Sequence, residues 1–460
     1  MSNTTETLQR KIGLVQATAI NMIDMVGIGP FVSIYLVLKV LPGPYFLYAW
    51  LAGALLSWLD AMVWSELGAA YPMAGGSYNF LKTGYGEKKW GRLMSFLYIW
   101  QTMIQAPLVI ASAAIGFSEY LDYIVPLSTL GAKAISGGVV IVIVTLLYRK
   151  IEAIGRISVI MWVCVFTVFA WIITGAVMHG NMLQPIRDLN NNFSLNILFS
   201  FAFGQAMGKT MYSFLGYYNV CHLGGEIVNP QRNIPRSMMI SVAGITILYL
   251  LLNISITSVI DIHHIIPPAD LPKGAPVPAE NKYVVSVYIN QLFGNTAAVV
   301  ATALILVVAL SSVFSATLGY TRIPYAAAKD GAFFPVFARL HPEKKFPHVS
   351  LLVLGSIAFV FSLLLRMGDV IQGILAMRIL VQFVAQSVGL VLLRRRFGTG
   401  HLPYKMKLYP LPVVISITIW LFILYNTGYF ALWGLGFALL GCMAFVLAEK
   451  YRLFKKTSGD

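Results

Sequence analysis

The sequence predicts an all-α membrane protein of twelve transmembrane helices, built as two five-helix halves in inverted repeat and followed by two further helices. Three observations predict it. Apolar residues make up 58% of the 460-residue chain and charged residues only 11%, a balance that a soluble domain of this size cannot keep out of aggregates. Apolar runs of about 20 residues, the length that crosses the hydrocarbon core as a helix, recur from one end of the chain to the other. Two of those runs are interrupted by glycine, and they stand five spans apart.

Windows bounded by charge or by Pro and Gly place the spans at roughly 14–40, 44–70, 91–120, 124–147, 153–178, 196–226, 236–261, 296–326, 348–366, 369–393, 410–429 and 431–450. Nothing is left over for a soluble domain, so the whole of 1–460 is one domain, with repeats at 14–178 and 196–393 and the last two spans at 410–450. The polar stretch Met1 to Lys11 leads straight into the first span without a small-residue cleavage site, so no removable signal peptide is expected.

An even number of spans puts both termini on one side, and the basic residues say which. Most of the 33 Lys and Arg residues fall at the termini and in alternate loops: Arg10 and Lys11; Lys82, Lys88, Lys89 and Arg92; Arg149, Lys150 and Arg156; Arg232 and Arg236; Arg322 to Lys345; Arg394 to Lys407; and Lys450 to Lys456. The opposite loops hold only Lys39, Lys133, Arg187, Lys273, Lys282 and Arg366. Both termini are therefore expected in the cytoplasm, and the protein in the cytoplasmic (inner) cell membrane.

The same distribution excludes nucleic acid as a partner. The net charge of +15 is spread over short loops that orient helices, not gathered on a groove-reading element. The lipid bilayer is the large partner the composition implies, and no sequence feature names a partner subunit. His263 and His264, in the long external connection, are adjacent and lack further ligands, so no metal site is assigned. Cys164, Cys221 and Cys442 show no disulfide or metal spacing and read as small packed hydrophobes. No paired carboxylates or nucleophile motif stands at a consistent depth, which argues against an enzyme and leaves no catalytic residue and no cofactor to assign. A channel would need rings of repeated polar residues about a pore.

The two interrupted spans carry the functional reading. In the first, Asp24-Met25-Val26-Gly27-Ile28-Gly29-Pro30-Phe31 places two glycines and a proline in the middle of the apolar run. Proline lacks a backbone donor and clashes with the preceding turn, so the helix should break just before Pro30, which then opens an outer half-helix where its missing N–H costs nothing. In the sixth, Tyr212-Ser213-Phe214-Leu215-Gly216-Tyr217-Tyr218 repeats the pattern. A break at membrane depth leaves backbone polar groups unpaired, tolerable only where they line a cavity and meet a ligand. Two breaks at corresponding positions of two halves mark a carrier that holds its substrate between them. Glycine can also serve only to bring two helices close.

Four motifs then resemble the amino acid-polyamine-organocation superfamily, and within it the bacterial relatives of the L-type amino acid transporters and polyamine permeases. They are Gly27-Ile28-Gly29-Pro30-Phe31; Ser65-Glu66-Leu67-Gly68 with Pro72, Gly75, Gly76 and Tyr78; Glu226-Ile227 with Asn229-Pro230, Arg232, Asn233 and Pro235; and Ser311-Ser312 followed by Arg322, Tyr325-Ala326, Asp330-Gly331, Phe333-Phe334, His341-Pro342 and Pro347. The resemblance covers nearly the whole chain. It implies the LeuT-type fold and a secondary transporter, a permease or exchanger, that moves amino acids by alternating access. The alternative is a carrier of polyamines or other organic amines; a sensor built on the same scaffold would bind without transporting.

The resemblance and the physics agree on how the substrate would be held. N–H groups around Gly27, Ile28 and Gly29, at the positive end of the outer half-helix, can receive a carboxylate. Backbone carbonyls near Ile23, Asp24 and Tyr212 can accept from an ammonium. Tyr212 stands where the family has a gating phenylalanine and is a candidate lid. Phe214, Gly216, Tyr217 and Tyr218 would shape the side-chain pocket, and Asn219 could donate into it.

Two departures from the family pattern stand out. Trp162 falls where proton-coupled relatives place a lysine in the fifth span, and Leu215 replaces a small or acidic residue before the glycine of the sixth. Asp24, where relatives more often have a neutral residue, has three readings: partner of the substrate's amino group, carrier of a coupling proton, or a protonated cap on broken backbone. Ser311, Ser312 and Ser315 could give hydroxyls to a sodium site, so the coupling ion is open between H+ and Na+. Glu66 is assigned to a gate or structural ion pair, Lys209 to the outer vestibule or to snorkelling, and Arg378 wants an acidic partner that the sequence does not name.

Overall fold

The computed structural model describes residues 10–41, 43–73, 75–86, 88–148, 154–192, 194–266, 282–344, 346–400 and 402–451. The side chains of Lys89, residues 154–162, His263, His264 and Ser315 also lie outside the description. Among the described residues every extended element is helical, as the apolar runs require. In chain order they are α1 (Leu14–Met25), α2 (Gly29–Val40), α3 (Phe46–Ala70), α4 (Ser77–Gly84), α5 (Lys89–Ile124), α6 (Thr129–Leu147), α7 (Ile154–His179), α8 (Gln184–Asn191), α9 (Phe201–Phe214), α10 (Asn219–His222), α11 (Pro230–Thr257), α12 (Ile262–Ile265), α13 (Val284–Phe293), α14 (Asn295–Lys329), α15 (His348–Leu364), α16 (Met367–Arg378), α17 (Gln386–Phe397), α18 (Leu411–Asn426) and α19 (Tyr429–Lys450).

Seven of the described helical segments are long and apolar enough to cross a membrane alone, and the number rises to nine if two bent pairs each count as one span. The first bent pair is α1 with α2, which meet at 42° across the Val26–Ile28 break that the glycines and Pro30 predict. The second is α7 with α8, bent by 80°. Helices α13, α15 and α18 are apolar but shorter. The tenth window is one element interrupted by a π-helical stretch, Ile379–Ala385, between α16 and α17.

The sixth window is likewise interrupted, and its two parts are unequal. A 3-10 turn at Leu195–Phe199 precedes α9, Leu215–Tyr218 leave the helical path, and the segment beyond is only the single turn α10. Gly216 takes φ +120°, a backbone conformation that a side chain disfavours, and this ends the ladder of α9 more sharply than glycine alone would.

Two long helices of nearly equal length, α5 with 36 residues and α14 with 35, pack against each other and form the wall on which the broken segments rest. The N-terminal chain is tied down by backbone pairing: the N–H groups of Lys11 and Ile12 donate to the Glu226 carbonyl at 3.0 Å, and Val228 N–H donates back to Ile12 at 2.9 Å. That pairing fixes the entry to α1 beside the exit of α10.

Candidate functional site

A break in a helix exposes N–H groups at the start of one half and carbonyls at the end of the other. Both kinds meet here in one place. Gly216 sits against the backbone of the first break: a β-carbon added to it would lie 2.8 Å from the carbonyl carbon of Asp24 and 2.9 Å from the nitrogen of Met25. Gly29, at the start of α2, is held as closely to α9, with the Ser213 Cα 3.3 Å from its would-be β-carbon. Gly27 faces α14, where the Ser312 hydroxyl would lie 2.8 Å from such a carbon. Each glycine is thus needed for close approach as well as for the break.

Polar side chains complete the junction. The Tyr249 hydroxyl, from α11, is shared between the carbonyls of Met25 at 2.7 Å and Ser213 at 3.0 Å, one near the end of each broken helix. Asn21 accepts from Val220 N–H at 2.9 Å. The Asn219 amide donates to the Asp24 carboxylate, which joins α10 to α1. Ser213 donates to Ser33 at 2.9 Å, and Ser33 in turn donates to the Lys209 carbonyl at 3.1 Å, fastening α2 to α9.

A cavity opens between the two breaks and the α5–α14 wall. It is narrow, about 70 Å³ in volume. Of the residues the sequence singles out, Asp24, Gly27, Ile28, Gly29, Tyr212, Gly216, Tyr218, Asn219 and Ser312 line it. Tyr212 reaches across from α9 and donates to Ser112 of α5 at 2.9 Å, closing one wall.

Others lie elsewhere. Ile23 faces a separate apolar pocket with Met22, Val26 and Val165. Phe214 packs edge-on to Tyr249 and against Trp50, away from the cavity. Tyr217 turns to α3, where its hydroxyl donates to the fully buried Asp60. The reason is rotational: Phe214 is two residues past Tyr212 on α9, about 200° round the helix, and beyond Leu215 the chain leaves the helical path that brings Tyr212 to the cavity. Ser311 is buried in α14 outside the cavity lining, and Lys209 is buried in α9. The side chains of Ser315 and Trp162 lie outside the described residues.

Glu66 lies away from the cavity in a buried ion pair. Arg394 donates to its two oxygens at 2.5 Å each, the Met406 N–H adds a bond at 2.7 Å, and the guanidinium lies 3.9 Å from the centre of the Tyr409 ring. This links α3 to α17 and to the strand of chain before α18.

Two functional candidates were not legible as such. Arg378 lines the cavity, and its neighbours are phenols: its two terminal nitrogens donate to Tyr218 and Tyr320, while its Nε has no hydrogen-bond partner. Asp60, held by Tyr217 and by Trp420 at 3.4 Å, is a buried carboxylate in mid-helix. An ionisable residue inside the 44–70 window is the signal that would have found it.

The family profile described as amino acid permease matches residues 12–435. Among curated relatives, a methylthioribose transporter of Bacillus subtilis (strain 168) is 22% identical over 92% of this chain and 89% of its own. A serine/threonine exchanger from the same organism is 23% identical over 91% of each chain. Its branched-chain amino acid permease is 24% identical over 92% of this chain and 89% of its own. With a match across nearly the full length, relatives that are transporters rather than enzymes, and several helices fit to cross a bilayer, this multi-pass membrane chain belongs to the amino acid permease family.

Proposed function

We propose that the chain carries an α-amino acid across the cytoplasmic membrane by alternating access, as a secondary transporter with both termini in the cytoplasm. The observation that carries this reading is the meeting of two broken helices at one cavity: the N-terminal amides of α2 at Gly27–Gly29 and the Asp24 carboxylate line the same space. The first suits a carboxylate and the second an ammonium, and an α-amino acid presents both groups about 2.5 Å apart from nitrogen to carboxyl carbon. The named substrates of two relatives, serine/threonine and branched-chain amino acids, point the same way.

The same reading takes the twelve windows as twelve spans and the 14–178 and 196–393 segments as inverted repeats. The pairing of α5 with α14, third long element of each half and nearly equal in length, supports it. Polyamines are the weaker choice, because Arg378 places a fixed positive charge in the cavity that would repel a second ammonium.

The test is uptake by proteoliposomes containing the purified protein. Accumulation or exchange of labelled α-amino acids, absent for their decarboxylated analogues, is the expected result. Uptake of the amines alone would replace amino acids with amines as the cargo.

A further inference from the structure

A groove of about 410 Å³ lies between α1 and α11 and shares no lining residue with the substrate cavity. Leu14, Val15, Thr18, Ala19 and Met22 form a stripe at helical spacing along α1, and Ile240 of α11 stands opposite. The one polar side chain among them is spent within its own helix, where the Thr18 hydroxyl donates to the Leu14 carbonyl at 2.9 Å. Val15 is 82% exposed and Ile240 50%, so the groove opens to the surroundings of the helices. Around a multi-pass membrane chain those surroundings are lipid tails. From Leu14 to Met22 the stripe rises about 12 Å, against roughly 15 Å for the hydrocarbon of one leaflet. One acyl chain fits that length.

Charge distinguishes one end of the groove from the other. Arg10 and Lys11 precede Leu14, while Arg232 and Arg236 stand eight and four residues before Ile240 and so share its face of α11. All four are exposed, and none pairs with an acidic side chain among the described residues. The backbone bonds from Lys11 and Ile12 to the Glu226 carbonyl hold the first pair beside the start of α11. Glu226 is the only acidic residue in 10–23 and 226–240, so the net charge at this end is positive. Charge that serves only to orient helices can stand anywhere in a cytoplasmic loop. Here it stands at the foot of an apolar groove of leaflet depth, the arrangement that an anionic headgroup with a hydrocarbon tail would fill.

We propose that this groove takes one acyl chain of an anionic phospholipid, whose phosphate is held by Arg232, Arg236 and the Arg10–Lys11 pair. The choice of leaflet rests on the orientation proposed above, and the binding itself does not. Because α1 is the inner half of the broken first helix, a lipid lying across α1 and α11 holds that half-helix against its neighbour, so transport responds to the anionic lipid content of the membrane.

Titration of the purified full-length protein with dioleoylphosphatidylglycerol and dioleoylphosphatidylcholine, read by native mass spectrometry, tests this, since the two lipids share their tails and differ in net charge. The phosphatidylglycerol is expected to bind with an apparent Kd on the order of tenfold lower. Arg232→Gln with Arg236→Gln should erase the difference. Lys405→Gln with Lys407→Gln, which removes the same charge from another exposed loop, should leave it intact. Ala19→Trp and Ile240→Trp fill the groove from opposite walls with every charge in place, and each should weaken phosphatidylglycerol binding. Equal affinities in the unaltered protein, a preference lost equally in the Lys405 and Lys407 pair, or binding that survives both tryptophans would overturn the site and leave the amino acid reading untouched.

Discussion

The side-chain amide of Asn219 donates to the carboxylate of Asp24, a hydrogen bond between residues 195 positions apart that fastens one helix break to the other. It also orients the carboxylate on the cavity wall.

Asp24→Asn should therefore separate charge from geometry. The amide can still bond to Asn219, so the melting temperature in detergent should hardly move. Affinity for α-amino acids should fall on the order of tenfold or more, because a charge-assisted bond to the ammonium is lost. Unchanged affinity in a calorimetric titration would assign Asp24 to coupling or to the cap on broken backbone instead.

Gly27→Ala should abolish uptake, since the new methyl would stand 2.8 Å from the Ser312 hydroxyl and 3.0 Å from its β-carbon. Overpacking of this kind costs about 1–3 kcal/mol. Removing the obstacle with Ser312→Gly in the same chain should restore part of the binding, and a double-mutant cycle on the melting temperature would read the coupling between the two positions.

Gly216→Ala should be worse and should not be rescued by any side-chain truncation. Its β-carbon meets main-chain atoms of Asp24 and Met25, and φ of +120° is strained for any side chain. The two penalties together amount to roughly 2–6 kcal/mol. The expected outcome is a large drop in the yield of monodisperse protein on size exclusion, and normal yield would contradict the packing described.

Breaking the buried Glu66–Arg394 pair by either Glu66→Ala or Arg394→Ala should destabilise by about 3–5 kcal/mol, because the remaining charge is left buried without its partner. The double substitution should cost clearly less than the sum. Additive losses in thermal unfolding would show that the two side chains act independently.

How much of this was legible in the sequence follows from what each residue does locally. Gly27, Gly29 and Pro30 specify the first break through backbone chemistry alone, and the structure places the break within a residue of Pro30. The second break reads from Gly216, its inner half is a single turn, and Tyr217 turns to Asp60 instead of the cavity. After a helix stops, side-chain direction depends on tertiary packing that no periodicity encodes. Tyr249 gave no signal because a tyrosine in an apolar helix reads as core until the carbonyls it meets are known. Arg378 reads as needing an acidic partner, and its terminal nitrogens donate instead to the phenols of Tyr218 and Tyr320.

The shared hydroxyl of Tyr249 has one further consequence. A phenol carries a single hydrogen, and here one hydroxyl bridges two carbonyls, one near the end of each broken helix. Both breaks are therefore moored to one point on α11, so neither can shift relative to that helix without stretching a bond it shares with the other.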